Sequence, residues 1–217
     1  DFVENGFKPG FQVGLKNFDE IFSTYTGQFI TVTGIPSSGK SDFVDQMVVG
    51  YNNNYGWKTA YASPENHPTY LVKRKGIKCL VIDPYNKVRD VNAGTEDVNR
   101  YTMEYLTKIE IFAKKYDVLV FIVAHPTKMY KGQNGKMEEP NMYNIKGGGE
   151  WYDASYHGLL VHRNYENKSV KVKVLKVKFQ NLGENGAEAH FNWEPNSGCF
   201  IPKVMPTADP NDKLPWE

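Results

Sequence analysis

"FITVTGIPSSGKSDFVDQMV", residues 29–48, decides how the rest of the chain is read. Residues 29–33 are aromatic or β-branched, as in a buried strand, and small residues come next. Lys40 and Ser41 then open an apolar pattern of helical period. Gly34, Ile35, Pro36, Ser37, Ser38, Gly39, Lys40 and Ser41 match G-x-x-x-x-G-K-[ST]. The chemistry explains the pattern. Glycines let consecutive backbone N–H groups turn inward around a phosphate, and a helix start adds its positive dipole end. A lysine at the end of the loop reaches the β- and γ-phosphates, and the hydroxyl beside it can ligate Mg²⁺. An ordinary strand–turn–helix connection is the plainer reading. A strand before the loop and a helix after it favour a nucleotide such as ATP.

Working outward, three more strand-like runs end on polar residues. "CLVIDPYN" (79–86) closes four apolar residues on Asp83, suited to hold the water shell of the metal, although many buried strands end in an aspartate that caps the next turn. "KTAYASPEN" (58–66) reaches Glu65, a candidate to orient or deprotonate an attacking water; its plain reading is a surface acid after a proline. "VLVFIVAHPTK" (118–128) ends near His125, placed to sense a γ-phosphate, where a lone histidine would more often be structural. Four strand ends suited to one phosphate group support each other.

The bulk numbers allow this. The 217 residues are 40% hydrophobic, enough for one sizeable core, and 26 Lys+Arg against 25 Asp+Glu leave a formal charge of +1. Any nucleic-acid affinity must therefore come from local patches. Cys79 and Cys199 form no metal-ligand or disulfide pattern, which suits a reducing cytoplasmic setting, bacterial or phage-infected. No apolar run reaches the ~18 residues of a membrane span, so no membrane partner is expected.

"GLKNFDEIF" (14–22), "KSDFVDQMVVGYNNNYG" (40–56) and "EDVNRYTMEYLTKIEIFAKKYD" (96–117) read as helices, the last with Val98, Met103, Leu106, Ile109 and Phe112 in phase. Residues 126–149 read as a polar loop containing lysines and glycines. "HGLLVHR", "SVKVKVLKVKF" and "AEAHFNW" alternate with period two, as strands of an antiparallel extension. The fold class is α/β: a RecA-like P-loop NTPase, with a mostly parallel central sheet flanked by helices and a C-terminal antiparallel β extension. Residues 1–13 read as a linker remnant, 14–203 as the ATPase and 204–217 as a tail.

In combination, GIPSSGKS, ASPEN, LVIDPYN, the long helix and VAHPTK resemble the RecA-like helicase domain of the DnaB superfamily, in particular its Twinkle and phage primase–helicase branches. The resemblance implies an ATP- and Mg²⁺-dependent replicative DNA helicase motor. It would work as a homohexameric ring on single-stranded DNA, with primase and other replisome proteins as further partners. It implies that Lys176 and Lys178, in "VLKVKFQNLGENG" (174–186), reach into a neighbouring subunit's ATP site. Lysine then stands where the family carries an arginine finger, and lacks its bidentate fork. Both lysines also fit the exposed face of an alternating strand. It further implies that Arg163 and Trp193 lie near the nucleotide and its base. Lys128, Lys131, Lys136, Lys146, Gly147 and Gly148 would meet the DNA backbone. Relatives place a longer, several-helix stretch between the positions of Glu65 and Cys79; here it is abbreviated, or residues are missing between Tyr70 and Leu71. A RadA- or KaiC-like ATPase, or a nucleotide-binding scaffold or loader without unwinding, stays open on the same residues.

Overall fold

The computed structural model describes residues 7–62, 75–85, 98–127, 138–165 and 167–203. An eight-stranded sheet organises them, in the order β2-β3-β4-β1-β5-β6-β7-β8. The parallel part comprises β1 (Phe29–Thr33), β2 (Lys58–Tyr61), β3 (Ile77–Ile82), β4 (Leu119–Val123) and β5 (His157–Asn164). Three antiparallel strands complete it: β6 (Ser169–Val177), β7 (Glu188–Glu194) and β8 (Cys199–Pro202).

Both faces of the parallel part are covered, which is why β1 and β4 are buried at every residue and read as unbroken apolar runs. Helix α1 is a single turn, Lys16–Asp19, and α2 spans Lys40–Tyr55. They pack one face, where Phe18, Phe43, Met47 and Tyr51 meet Val32, Phe121, Val161 and Phe191. The other face carries α3 (Val98–Tyr116) and α4 (Gly148–Ala154), with Leu106, Ala113 and Trp151 against Phe29, Leu80, Val120 and Ile122. Phe11 and Val13 also pack onto the first of these cores.

Some expectations are corrected. HGLLVHR is not yet part of the antiparallel extension: β5 runs parallel to β1 and antiparallel to β6. Its first five residues are buried, because it lies inside the sheet and not at its edge. Residues 126–149 are not all loop. A 3₁₀ turn at Met142–Asn144 and helix α4 return to the sheet and bury Met142, Ile145 and Trp151. Along α3 the inward stripe is Thr102, Leu106, Ile109 and Ala113, while Met103 is 56% exposed. Thr102 faces in because the chain at Gly147 lies directly on it.

The β5–β6 register contains a bulge. Gly158 pairs with Lys176 and Leu159 with Val174, leaving Leu175 as an extra residue. Before the bulge Val170, Val172 and Val174 face the α2 core; after it Val177 does. Unbroken alternation would have sent Lys176 and Lys178 into that core. The extra residue turns both onto the α3–α4 face instead.

Candidate nucleotide-binding site

The phosphate loop links β1 to α2, with Gly39 as the left-handed residue before the helix. Gly34 is required by space: a Cβ there would lie 2.2 Å from the Val161 carbonyl oxygen of β5 and 2.7 Å from Ser38 Oγ. The Lys40 ammonium is buried and donates to the carbonyls of Gly34, at 3.0 Å, and Ile35, at 2.7 Å. Burial pulls its pKa down to about 8, partly offset by the negative charge of Asp83.

Asp83 lies just past β3 and His125 just past β4; in the sheet order, β4 adjoins β1 and β3 adjoins β4. Each continues the side-chain phase of residues facing α2, Val81 in β3 and Val123 in β4. His125 has its pKa lowered, by burial first and by the Lys40 charge second, with Asp83 opposing. Lys40, Asp83 and His125 therefore act on one another electrostatically at the C-terminal ends of neighbouring parallel strands, where open α/β sheets bind ligands. Glu65 lies outside the described residues, as do Lys128, Lys131 and Lys136.

Arg163 and Trp193 come together. The guanidinium of Arg163, at the end of β5, sits 4.0 Å from the Trp193 ring centre and 5.1 Å from that of Tyr165. The Tyr165 hydroxyl donates to the Ser37 carbonyl of the phosphate loop at 2.7 Å. Sequence reading missed Tyr165; its position one residue past Asn164 was the available signal.

Lys176 and Lys178 are not near this cluster. Lys176 pairs with Gly158, which is level with Thr31, and Val177 pairs with His157, which is level with Ile30; the phosphate loop leaves β1 after Thr33, at its opposite end. The gap is about 13 Å along the strand and ~10 Å across two strand spacings. Neither lysine can serve its own loop. Lys176 Nζ donates to the carbonyls of Tyr152 and Asp153 at the end of α4 and lies 4.8 Å from the Tyr152 ring centre. Lys178 Nζ lies 4.3 Å from the ring centre of Tyr156.

Lys146 is exposed. Gly147 and Gly148 are not a slack loop as the sequence suggested. Gly147 has φ of 91° at the start of α4, and a Cβ there would meet Thr102 Oγ1 at 2.7 Å. Its lack of a side chain is accounted for by helix packing.

The residues fit a magnesium nucleotide. Ser38 Oγ, Thr33 Oγ1, His125 Nδ1, Arg163 Nε and Trp193 Nε1 are buried atoms with no hydrogen-bond partner among the described residues. Buried polar atoms normally have partners, so several orphans at one end of a sheet suit a polar ligand. Among the described residues no group of three or more His, Cys, Asp or Glu side chains gathers that could hold a metal. Ser41 and Asp83 are thus the available protein ligands, in the manner of a Mg²⁺ held largely by substrate phosphates.

Comparison with known proteins agrees with the fold and the order of motifs. No family model matches the sequence. The Twinkle homolog protein, chloroplastic/mitochondrial, of Arabidopsis thaliana is 25% identical over 280 residues, covering 97% of this chain. A solved ATPase domain of a DnaB-like helicase superposes with a TM-score of 0.70 at 11% identity, covering 93% of this chain and 94% of that one. The chain is a RecA-like domain of the DnaB superfamily. This DnaB-type domain spans 39% of the length of the Twinkle homolog. The matched span of 280 exceeds the 217 residues here, so the homolog carries internal residues with no counterpart in this domain. Among the described residues no helix is long and apolar enough to cross a membrane.

Proposed function

We propose that this chain is the motor domain of a replicative DNA helicase, hydrolysing ATP to move along single-stranded DNA and separate duplex. The observation that carries the reading is the convergence of Lys40, Asp83 and His125 at the C-terminal ends of β1, β3 and β4. In the working cycle Lys40 exchanges the Gly34 and Ile35 carbonyls for the β- and γ-phosphate oxygens of ATP. Ser41 and Asp83 would hold Mg²⁺, which when bound neutralises charge on the phosphates. Glu65 orients the attacking water. His125 reports the γ-phosphate state to the chain beyond it, where Lys128, Lys131, Lys136 and Lys146 hold the DNA backbone without reading sequence. Arg163 and Trp193 bind the base end.

The ring is part of the proposal. Lys176 and Lys178 are too far from their own phosphate loop to assist it, so their place is at the site of a neighbouring subunit in a homohexamer. Lys178, over the ring of Tyr156 and exposed, is the freer of the two, whereas Lys176 is tied to the end of α4. Primase and other replisome proteins are the expected further partners.

Steady-state ATP hydrolysis with and without single-stranded DNA tests the reading, alongside Glu65→Gln. Stimulation by DNA, and loss of turnover in the variant, are expected. No stimulation together with normal turnover by Glu65→Gln would contradict it. Forked-duplex unwinding separates a helicase from a RadA- or KaiC-like ATPase. Lysine at the finger position favours a second reading, a nucleotide-binding scaffold or loader without turnover. Gain of hydrolysis by Lys178→Arg in an otherwise inactive protein would support it.

A further inference from the structure

Tyr165 is a residue that nucleotide binding alone leaves without a task. It is 56% exposed, so core packing does not explain where it sits. Its hydroxyl donates to the Ser37 carbonyl at 2.7 Å. Ser37 has φ of 62°, a left-handed conformation that a residue with a Cβ keeps only when its surroundings over-determine it. The peptide joining Ser37 to Ser38 is held at both ends, its carbonyl by Tyr165 and its N–H by the Ile35 carbonyl at 3.2 Å. That same Ile35 carbonyl accepts from Lys40 Nζ at 2.7 Å. A continuous path of hydrogen bonds thus runs from Tyr165 through the loop to the lysine. The other contact of Tyr165 is its ring face, over which Arg163 lies on its way to Trp193.

We propose that Tyr165 is a positioning residue for nucleotide binding: it clips the phosphate loop at Ser37 and holds Arg163 against Trp193, so that the phosphate and base ends of the site are set together. The inference rests on the nucleotide-binding reading. Alternating right- and left-handed residues turn successive N–H groups to one side and make an anion-binding nest. A clip on the left-handed residue keeps that nest formed before the ligand arrives, and preorganisation of this kind raises affinity.

The test is equilibrium binding of ADP to the whole chain, with inorganic pyrophosphate and adenosine as competitors, for the wild type, Tyr165→Phe and Tyr165→Leu. Tyr165→Phe keeps the ring and removes one hydrogen bond, so ADP and pyrophosphate should each bind about 5-fold more weakly, the usual scale for such a bond. Adenosine affinity and melting temperature should not move, which a merely structural role would not predict. Tyr165→Leu should weaken ADP further while matching Tyr165→Phe on pyrophosphate, because only the base end loses its ring. Wild-type affinity for ADP and pyrophosphate in Tyr165→Phe would overturn the inference, as would equal losses on adenosine and pyrophosphate. A wild-type chain that binds neither ADP nor pyrophosphate would overturn the nucleotide reading itself.

Discussion

At the scale of single residues the chemistry rests on charges held out of water. Lys40, with its pKa near 8, is half neutral in the nucleotide-free protein around that pH. A triphosphate binds the ammonium form, so affinity should be level below pH 8 and fall above it, by at most about tenfold per pH unit. Nucleotide titrations between about pH 7 and 9.5 check this, and Lys40→Ala should abolish the dependence along with tight binding. His157 is the other case. It is fully buried, its Nε2 bonded to Gln28 Oε1 at 2.8 Å, and burial with the nearby Lys176 charge drops its pKa from 6.5 to about 3. Between those values the unfolded chain binds a proton that the folded chain refuses. Stability should therefore be full above about pH 6.5 and fall as the pH drops below it, at up to about 1.4 kcal/mol per unit. Urea melts at about pH 7 and pH 5 should show the loss, and His157→Gln should flatten it. From the sequence, Lys40 was legible because its neighbours have fixed spacing. His157 was not, since nothing in HGLLVHR separates a buried histidine from an exposed one.

Elements carry the positioning. Phe43, two residues beyond Ser41, is fully buried with the rings of Phe18, Phe191 and Phe200 at 5.3, 5.6 and 5.4 Å. Gln46, one turn on, exchanges two hydrogen bonds with the backbone of Phe200, at 2.9 and 2.7 Å. These contacts seat α2, and with it Lys40 and Ser41, against the antiparallel strands. Phe43→Ala should cost about 3–5 kcal/mol in denaturant unfolding; Gln46→Ala, which leaves the apolar contacts in place, should cost less. Strand and helix identities were legible because the periods are strong. The pairing of β5 was not, because alternation says that a residue faces a core but not which strand lies alongside. The bulge had a faint signal, the adjacent Val174 and Leu175 that break the V-K alternation. The packed start of α4 had none, since Gly147 and Gly148 look like any flexible pair until Thr102 is brought beside them.

For the whole molecule, the arrangement is a sheet with two functional ends. One gathers Lys40, Asp83, His125, Arg163 and Trp193; the other presents Lys178 and Lys176 on an aromatic shelf of Tyr156 and Tyr152. If subunits meet end to end, a mixture of Lys40→Ala and Lys178→Ala chains should regain part of the DNA-stimulated ATPase that each lacks alone, through mixed interfaces that pair two intact halves. No recovery at any mixing ratio would count against the shared site. The two ends were legible only in part: the strand ends follow from motif order, while the opposition of the lysines needs the strand register. The central claim is that side chains from separate strands surround one triphosphate, and the histidine reports on it. The most direct measurement is the pKa of His125 by NMR, assigned with His125→Gln, with and without a non-hydrolysable ATP analogue and Mg²⁺. The phosphates should offset the Lys40 charge that now depresses it, so the His125 pKa should rise on binding. An unchanged His125 at saturating nucleotide would contradict the account.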